Sequence, residues 1–394
     1  MIIGVKATQI GPGGGLTHLV NCLRWFGELS PDDRFIIYGH SGQRNLFPAT
    51  PKNVVLQLHR LPSCGLAGRL LWERTRLPKI LARDECDILL ELGNYGTSNA
   101  PCPTVALIHN LAPFVPEYVR TESIYQQMRL GQLKRLTLAA VRHSAGTIYL
   151  SEYGRQVIGR EAKSSSGLST VIYHGVEASK AERSEKTGES RPGDQNFILC
   201  VSHIYRYKGI LELISGYAKA RQVESTLPPL VIAGAPYDKA YTTSIRRLMS
   251  DLGVEAHVRL VGSVSEPELQ RMYRNCELFV FPSKIENCPN ILLEAMQAGC
   301  AMACSDIGVM PEICADAALY FDPQDVSSLA GRIIELHRDP PLRSSLSKRA
   351  LRRSADFSWR TTAQQTLDFL RLVRRGGHAE SVPTSPGEVM CSRP

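Results

Sequence analysis

Two glutamates in one short segment carry the most specific chemistry of this sequence. Glu286 and Glu294 lie in Glu-Asn-Cys-Pro-Asn-Ile-Leu-Leu-Glu, after an apolar run that predicts a strand at 277–281. A helix is predicted at 290–298, so the segment leads from the carboxyl end of a strand into a helix N-terminus. Free backbone N–H groups and the helix dipole attract anions at such a position.

The two carboxylates narrow the choice of ligand. An acid beside a site for phosphate alone would weaken it, because like charges repel. Carboxylates accept hydrogen bonds from hydroxyl groups, so a phosphate attached to sugars suits both features. The segment therefore predicts a nucleotide-sugar site. The alternative is that both residues are ordinary surface acids.

Three further segments place distinctive residues at the ends of predicted strands. Gly13, Gly14 and Gly15 follow the strand at 1–6 and let a backbone approach a ligand without a Cβ clash. Lys208 follows the strand at 197–201, where a fixed cation can stabilise a departing diphosphate. His109 ends the strand at 103–108. The structural alternatives are a tight turn, a solvated lysine and a structural histidine.

A nicotinamide-binding site is disfavoured. The glycine loop does not match Gly-x-Gly-x-x-Gly, because Leu16 stands at the position of the third glycine of that fingerprint. The second predicted strand ends in Gly39-His40, whereas a dinucleotide site needs an acid there to hold the ribose.

The chain alternates short apolar strands with helical stretches in two runs, separated by a polar segment at 178–195. This pattern predicts an α/β protein with two doubly wound, Rossmann-like domains facing across a cleft. The predicted parts are a domain at 1–177, a linker at 178–195, a domain at 196–356, a helix at 357–373 and a disordered tail at 374–394. Ser151 is predicted to cap one helix, and Ser265 with Glu268 to form a capping box on another.

Length and composition indicate the number of domains and the cellular compartment. A chain of 394 residues exceeds the usual size of one core, so two domains are expected. It opens with a strand-like run, so no signal peptide is expected, and no stretch of about 18 apolar residues predicts a membrane span. The eleven cysteines are scattered, as in a reducing cytoplasm. We expect a cytoplasmic protein.

Positive charge is concentrated in the N-terminal half. Residues 1–178 hold 19 Lys and Arg against 13 Asp and Glu, a net +6 of the +8 for the chain. The excess lies in helical stretches at 60–83 and 120–142. It predicts either solvated helix faces or a surface for anionic lipid or an acidic acceptor. Nucleic acid is disfavoured, because aromatic residues are not interleaved with these bases.

The 286–294 segment, with Pro282-Ser283 before it and Ala-Met-x-Ala-Gly at its helix end, resembles the donor-binding segment of the retaining GT-B glycosyltransferases of the large family-4 group (glycosyl transferases group 1). The resemblance covers about 1–373. It implies a GT-B fold whose last helix crosses back onto the N-terminal domain. It also implies a retaining hexosyltransferase, moving mannose or glucose from a GDP- or UDP-sugar to a glycan or lipid-linked acceptor by front-face attack. Alternatives are an epimerase or phosphorylase on this fold, or a non-catalytic membrane-surface protein.

The resemblance also implies residue roles. Glu286 and His109 act on the transferred sugar as the catalytic pair, and Glu294 holds the ribose. The other donor-binding positions are Gly13, Gly14, Gly15, Arg206, Lys208, Asn287, Cys288 and Asn290.

Several positions depart from the family pattern. An Arg is usual about five residues before Lys208, and here that position is His203, with Arg206 as the other candidate for the second cation. His109 is followed by Asn instead of Asp. His174-Gly175-Val176 replaces Asn-Gly-Val and is interpreted as structural, whereas His18 is a candidate to face the acceptor. No Asp-x-Asp occurs, so we expect neither a metal ion on the diphosphate nor any other cofactor.

Overall fold

The computed structural model describes residues 1–11, 13–47, 50–61, 65–163, 167–177 and 196–376. The predicted linker at 178–195 and nearly all of the predicted tail lie outside these residues. The strands are β1 Ile2–Lys6, β2 Arg34–His40, β3 Val54–His59, β4 Ile88–Leu92, β5 Thr104–Ile108, β6 Gly146–Tyr149, β7 Leu168–Val171, β8 Ile198–Val201, β9 Leu230–Ala233, β10 Val258–Gly262, β11 Leu278–Phe281, β12 Met302–Ser305 and β13 Ala318–Phe321.

The helices connect these strands. They are α1 Gly14–Leu29, α2 Gly65–Thr75, α3 Leu77–Arg83, α4 Pro116–Thr121, α5 Ile124–His143, α6 Glu152–Ala162, α7 Ile210–Val223, α8 Lys239–Asp251, α9 Glu266–Asn275, α10 Asn290–Gln297, α11 Met310–Cys314, α12 Val326–Arg338, α13 Pro340–Ser354 and α14 Trp359–Arg374.

Two parallel sheets organise the molecule. The first has the order β3-β2-β1-β4-β5-β6-β7 and the second β10-β9-β8-β11-β12-β13. All pairings within the two sheets are parallel. Strand order reverses between β1 and β4 in the first sheet and between β8 and β11 in the second. Ligands of open α/β sheets bind at such switch points. The predicted α/β class with two doubly wound sheets is confirmed.

Continuous apolar runs form the central strands because helices cover both faces of each sheet. Every residue of β8 and of β11 is buried. In the first sheet, Ile36 and Leu89 pack beneath α2 and α3, and Ile108 and Tyr149 pack beneath α5 and α6. The strand register places these residues on one face of the sheet. The helices α2, α3, α5 and α6 therefore form one layer.

The last helix, α14, packs on the seven-stranded sheet although it follows the six-stranded one. Thr362 Oγ1 donates to Tyr173 O at 2.8 Å, and Arg371 Nη2 lies 3.1 Å from Asp33 Oδ2. At Gly146 a Cβ would lie 2.7 Å from Val373 Cγ2, so the strand and the helix touch where a side chain is missing.

A charged cluster is buried beside β1. Lys6 is fully buried, with Nζ 2.9 Å from Glu91 Oε1 and 3.5 Å from Glu73 Oε2. The same ammonium donates to Tyr95 O at 2.9 Å. Thr8 Oγ1 donates to Glu73. Charged residues are almost never fully buried unless they are paired, so this cluster joins β1, β4 and α2 through one cation.

Three differences from the predicted helices have a clear physical reason. The helix predicted at 66–82 divides at Arg76, because Pro78 cannot donate a backbone hydrogen bond inside a helix. The helix predicted at 121–143 begins at Ile124, where Ser123 accepts a cap hydrogen bond from Gln126 N. Helix α13 was not predicted, since its sequence is dominated by charged and polar residues.

One of the two predicted caps forms. Ser151 caps α6 and accepts from Gly154 N at 3.0 Å. The prediction of a capping box for Ser265 and Glu268 is wrong, because Ser265 is the N-cap of α9 but makes no side-chain cap hydrogen bond. The Glu268 carboxylate instead accepts two hydrogen bonds from Arg271, one turn further along. Among the described helices, none has the length and apolar character that crossing a bilayer requires.

Candidate active site

The switch point of the second sheet places two charged side chains together. Lys208 follows β8 and Glu286 follows β11, and these strands are neighbours. Their side chains form an ion pair with Nζ 2.5 Å from Oε1, and each is 12% exposed. The pair is therefore largely withdrawn from solvent screening.

Gly209 permits the turn that presents Lys208. Its φ is +69°, and a Cβ at this position would lie 2.3 Å from Pro282 O. The ring of Tyr207 lies 5.1 Å from Lys208 Nζ, and that of Phe281 lies at 6.0 Å. The ammonium thus has one carboxylate and two aromatic rings around it, and its reach is set by a turn that only glycine adopts without strain.

The two candidates for a second cation have different surroundings. Arg206 Nε lies 3.6 Å from Asp238 Oδ2, and its guanidinium packs over the ring of Tyr241 at 5.6 Å. His203 packs against Tyr237, and partial burial together with the charge of Lys208 lowers its pKa. His203 therefore lies in the field of Lys208, whereas Arg206 is engaged with Asp238.

Glu294 lies on α10 in an apolar setting. Tyr273 Oη donates to its Oε2 at 3.2 Å. Burial, together with the nearby charge of Glu266, raises the pKa of Glu294 to about 7. Hydrogen-bond donors such as ribose hydroxyls stabilise the ionised form of a buried carboxylate.

The loop between the two glutamates reaches the N-terminal half of the molecule. Asn287 Nδ2 donates to Ile108 O at 2.9 Å and to His109 O at 3.1 Å. Cys288 Sγ accepts from His174 N at 3.3 Å. In this arrangement the side chains of Asn287 and Cys288 join the two halves, and their role in donor binding stays a prediction.

Two uncapped helix N-termini approach each other across the cleft. Helix α1 starts after Gly13, whose φ is +130°, and α10 starts at Asn290; neither has a side-chain cap. A Cβ on Gly14 would lie 3.9 Å from Asn290 Nδ2, and one on Gly15 would lie 3.9 Å from the His109 ring. The glycine loop, the start of α10 and His109 thus converge, as an anion site between two helix dipoles requires.

Three histidines form a cluster behind the glycine loop. His18 on α1 is 1% exposed, and its ring lies 5.4 Å from that of His109 and 5.0 Å from that of His174. Burial lowers the pKa of His109 to about 3 and that of His174 to about 4, so both are neutral at physiological pH. Packing against His109, His174 and Trp359 leaves the ring of His18 almost no exposed surface, and its role towards the acceptor stays a prediction.

Glu312 is a residue that sequence reasoning missed. Its carboxylate accepts from Glu152 N at 2.7 Å, from Tyr153 N at 2.8 Å and from Tyr173 Oη at 2.7 Å. It thus binds the N-terminus of α6 from the opposite half of the molecule. No motif marks it, because its partners are backbone groups brought near by tertiary structure.

The sequence profile described as "Glycosyl transferases group 1" matches residues 182–353. This region contains Lys208, Glu286 and Glu294. Residues 182–353 belong to the glycosyl transferases group 1 family.

The relatives of this chain include mannosyltransferases. The serotype-specific mannosyltransferase WbdA of Escherichia coli is 28% identical over 304 residues, which cover 74% of this chain and 37% of that protein. The GDP-mannose-dependent alpha-(1-6)-phosphatidylinositol monomannoside mannosyltransferase of Mycobacterium tuberculosis is 26% identical over 202 residues, 48% of this chain and 51% of that protein. The matches thus span about half or less of these relatives.

Solved structures share the fold. Sucrose-phosphate synthase of Thermosynechococcus elongatus superposes with a TM-score of 0.75 at 18% identity, covering 95% of this chain and all of that one. The fold is GT-B.

A first prediction concerns the role of Glu294 in nucleotide binding. Glu294→Ala is expected to weaken nucleoside diphosphate binding by about 10- to 150-fold, because a charge-assisted hydrogen bond contributes roughly 1.5–3 kcal/mol. If the ionised carboxylate accepts hydrogen bonds from ribose hydroxyls, affinity of the unmodified protein should also fall as pH decreases through about 7. Calorimetric titration with GDP and with UDP across pH measures both effects. Unchanged affinity with Ala would make Glu294 an ordinary helix residue.

Proposed function

We propose that this protein is a retaining hexosyltransferase that moves mannose from GDP-mannose to a glycan or lipid-linked acceptor. The ion pair of Lys208 and Glu286 at the switch point, beside the uncapped start of α10, carries the proposal. It offers a cation for a diphosphate and a carboxylate for sugar hydroxyls within one small site. Mannose and the guanosine diphosphate are inferred from the names of the relatives.

In the proposed reaction the donor replaces the contact between Lys208 and Glu286. Lys208 turns to the diphosphate, and Glu286 accepts hydrogen bonds from hydroxyls of the sugar. The acceptor hydroxyl oxygen forms its bond to the anomeric carbon on the face from which the phosphate oxygen departs, so configuration is retained. The leaving phosphate takes the acceptor proton, and Lys208 with the α10 N-terminus stabilises its charge.

The experiment is to incubate the purified chain with radiolabelled GDP-mannose or UDP-glucose, with and without lipid-linked and glycan acceptors. Label appearing in the acceptor from GDP-mannose supports the proposal. Label entering a new nucleotide-sugar without acceptor would indicate an epimerase. Release of sugar 1-phosphate from a glycan on addition of inorganic phosphate would indicate a phosphorylase. No turnover of any donor with any acceptor, combined with nucleotide binding, would leave a non-catalytic protein.

A second prediction is that transfer needs no divalent metal. Excess chelator should leave the rate largely unchanged, because Lys208 and the helix N-terminus provide the positive potential that a metal ion would otherwise supply. The measurement is the initial rate with chelator, with added magnesium and with added manganese. Complete loss of activity that magnesium or manganese restores would contradict the prediction.

We also propose that the N-terminal half contacts an anionic membrane through the helix layer α2, α3 and α5. Side chains of Ile124, Tyr125 and Met128 on α5 are 78%, 75% and 72% exposed. An open concavity of about 660 Å³ on the same layer is lined by basic and apolar side chains: Arg60, Leu61, Trp72, Arg76, Lys79, Ile80 and Arg83. Apolar groups beside bases suit insertion at an anionic interface.

The third prediction tests this surface. Substituting Arg76 and Lys79 by Gln should weaken binding to anionic vesicles by roughly 30-fold, since each base near such a surface contributes about 1 kcal/mol. The effect should shrink as salt is raised. Lys134 is a poorer choice, because it already pairs with Glu161 at 2.7 Å.

Vesicle co-sedimentation measures the third prediction. The matched control substitutes Lys239 and Arg246, two exposed bases of α8 on the other half, by Gln. Equal losses in the two double variants, or equal partitioning onto neutral and anionic vesicles, would show that this layer is not the contact surface.

A further inference from the structure

The histidine cluster contains more donor atoms than the proposed transfer uses. One ligand nitrogen from each of His18, His109 and His174 can be chosen so that all three lie within 4.8 Å of one another. His18 Nδ1, both ring nitrogens of His109 and His174 Nε2 are buried and have no hydrogen-bond partner. Buried polar atoms without partners are rare in native proteins, and they point to a ligand.

The opposite nitrogens of two rings are held by neighbours. His174 Nδ1 lies 2.7 Å from Asn290 Oδ1, an acceptor, so this nitrogen carries the proton and Nε2 keeps its lone pair. His18 Nε2 lies 3.5 Å from Cys22 Sγ. Metal-bound histidines ordinarily have such a partner on the second nitrogen, which fixes the ring and its tautomer.

We propose that His18, His109 and His174 form a binding site for a transition metal ion of the zinc class. Three imidazole nitrogens without carboxylates suit zinc, cobalt or nickel and do not suit magnesium or calcium. Zinc–nitrogen bonds of about 2.0–2.1 Å put two nitrogens of a tetrahedral site roughly 3.4 Å apart. Binding of the ion would therefore require small rotations of the three side chains from their present separation of up to 4.8 Å.

The three side chains come from separate elements, which gives the ion a structural role. His18 is on α1, His109 follows β5 and His174 follows β7. The ring of Trp359 on α14 packs 5.5 Å from that of His174 and 5.7 Å from that of His18. An ion bound here would tie α1 to two strand ends of the first sheet, next to Asn290 of the other half. This inference does not depend on the transfer reaction.

The test is titration of the full chain, purified without a histidine tag and treated with chelator, with Co²⁺. One equivalent should give visible absorption bands typical of tetrahedral cobalt, and Zn²⁺ should abolish them by displacement. Zn²⁺ should also raise Tm, because an ion that binds only the native state stabilises it. Asn290→Ala should weaken Zn²⁺ binding by about 10- to 100-fold, the usual cost of removing an outer partner of a ligand.

Two variants decide the ligands. His174→Asn and His18→Asn should each lose the cobalt bands, whereas His143→Asn, an exposed histidine at the end of α5, should retain them. Near-ultraviolet circular dichroism without metal establishes that each variant is folded. Bands that persist in both ligand variants, or no bands in the unmodified chain, would overturn the proposal whatever the transferase assay gives.

Discussion

Replacing Lys208 by alanine is expected to weaken nucleoside diphosphate binding by roughly 30- to 5,000-fold. Truncating one member of a buried, hydrogen-bonded charge pair costs about 2–5 kcal/mol. In this site the loss has two parts, because the variant removes the cation and leaves Glu286, only 12% exposed, facing the phosphates. Free nucleoside carries no phosphate, so its binding should change little. Calorimetric titration with GDP and with guanosine measures the difference.

Two comparisons make this prediction specific. Lys284, on the loop that holds Glu286, forms an ion pair with Glu212 of α7 at 2.6 Å, and Lys284→Ala should leave GDP affinity near normal. Glu286→Gln frees Lys208 for phosphate, so GDP affinity should hold or rise while turnover falls. An equal loss of GDP and guanosine binding in Lys208→Ala would mean that the residue supports the fold and does not contact phosphate.

The second large effect should be on stability. Lys6→Met is expected to lower the free energy of unfolding by about 3–5 kcal/mol, because it leaves the carboxylates of Glu91 and Glu73 buried without their cation. Urea denaturation followed by circular dichroism measures the shift in midpoint.

Two controls accompany the Lys6 variant. Lys52→Met removes an exposed lysine of the same half and should change the midpoint little. Adding Glu73→Gln and Glu91→Gln to Lys6→Met removes the uncompensated charges and should recover part of the loss. A midpoint that stays unchanged in Lys6→Met would show that the cluster contributes no net stability.

The sheets could be predicted from the sequence because parallel strands buried on both faces appear as short, unbroken apolar runs. Ile198–Val201 and Leu278–Phe281 are of this kind. Lys6 and Glu91 lie in strands of the same type, and nothing local indicates that their charges would be buried. Helix α13 was missed for the opposite reason: its few buried residues, Leu346, Ala350 and Ser354, are separated by basic and polar ones.

The individual residues of the candidate site were predictable from the sequence, but their contacts with one another were not. Lys208, Glu286 and His109 each follow a predicted strand, and ligands of open parallel sheets bind at the carboxyl ends of the strands. The pairing of Lys208 with Glu286 depends on β8 lying beside β11, which the order of elements along the chain does not reveal. The approach of His18 to His174 likewise arises from the packing of α1, so their proximity could not be predicted from the sequence.

The contact of Glu312 with α6 bears on how readily the two halves of the molecule separate. Two backbone N–H groups at the start of α6 receive their acceptor from the other half of the molecule. When the halves part, water can replace that carboxylate, and Glu312 regains its own hydration. The number of hydrogen bonds made by these groups is then almost the same in both states, so this contact adds little to the enthalpy of opening. A contact of this kind permits repeated opening on the microsecond-to-millisecond timescale of hinge motions.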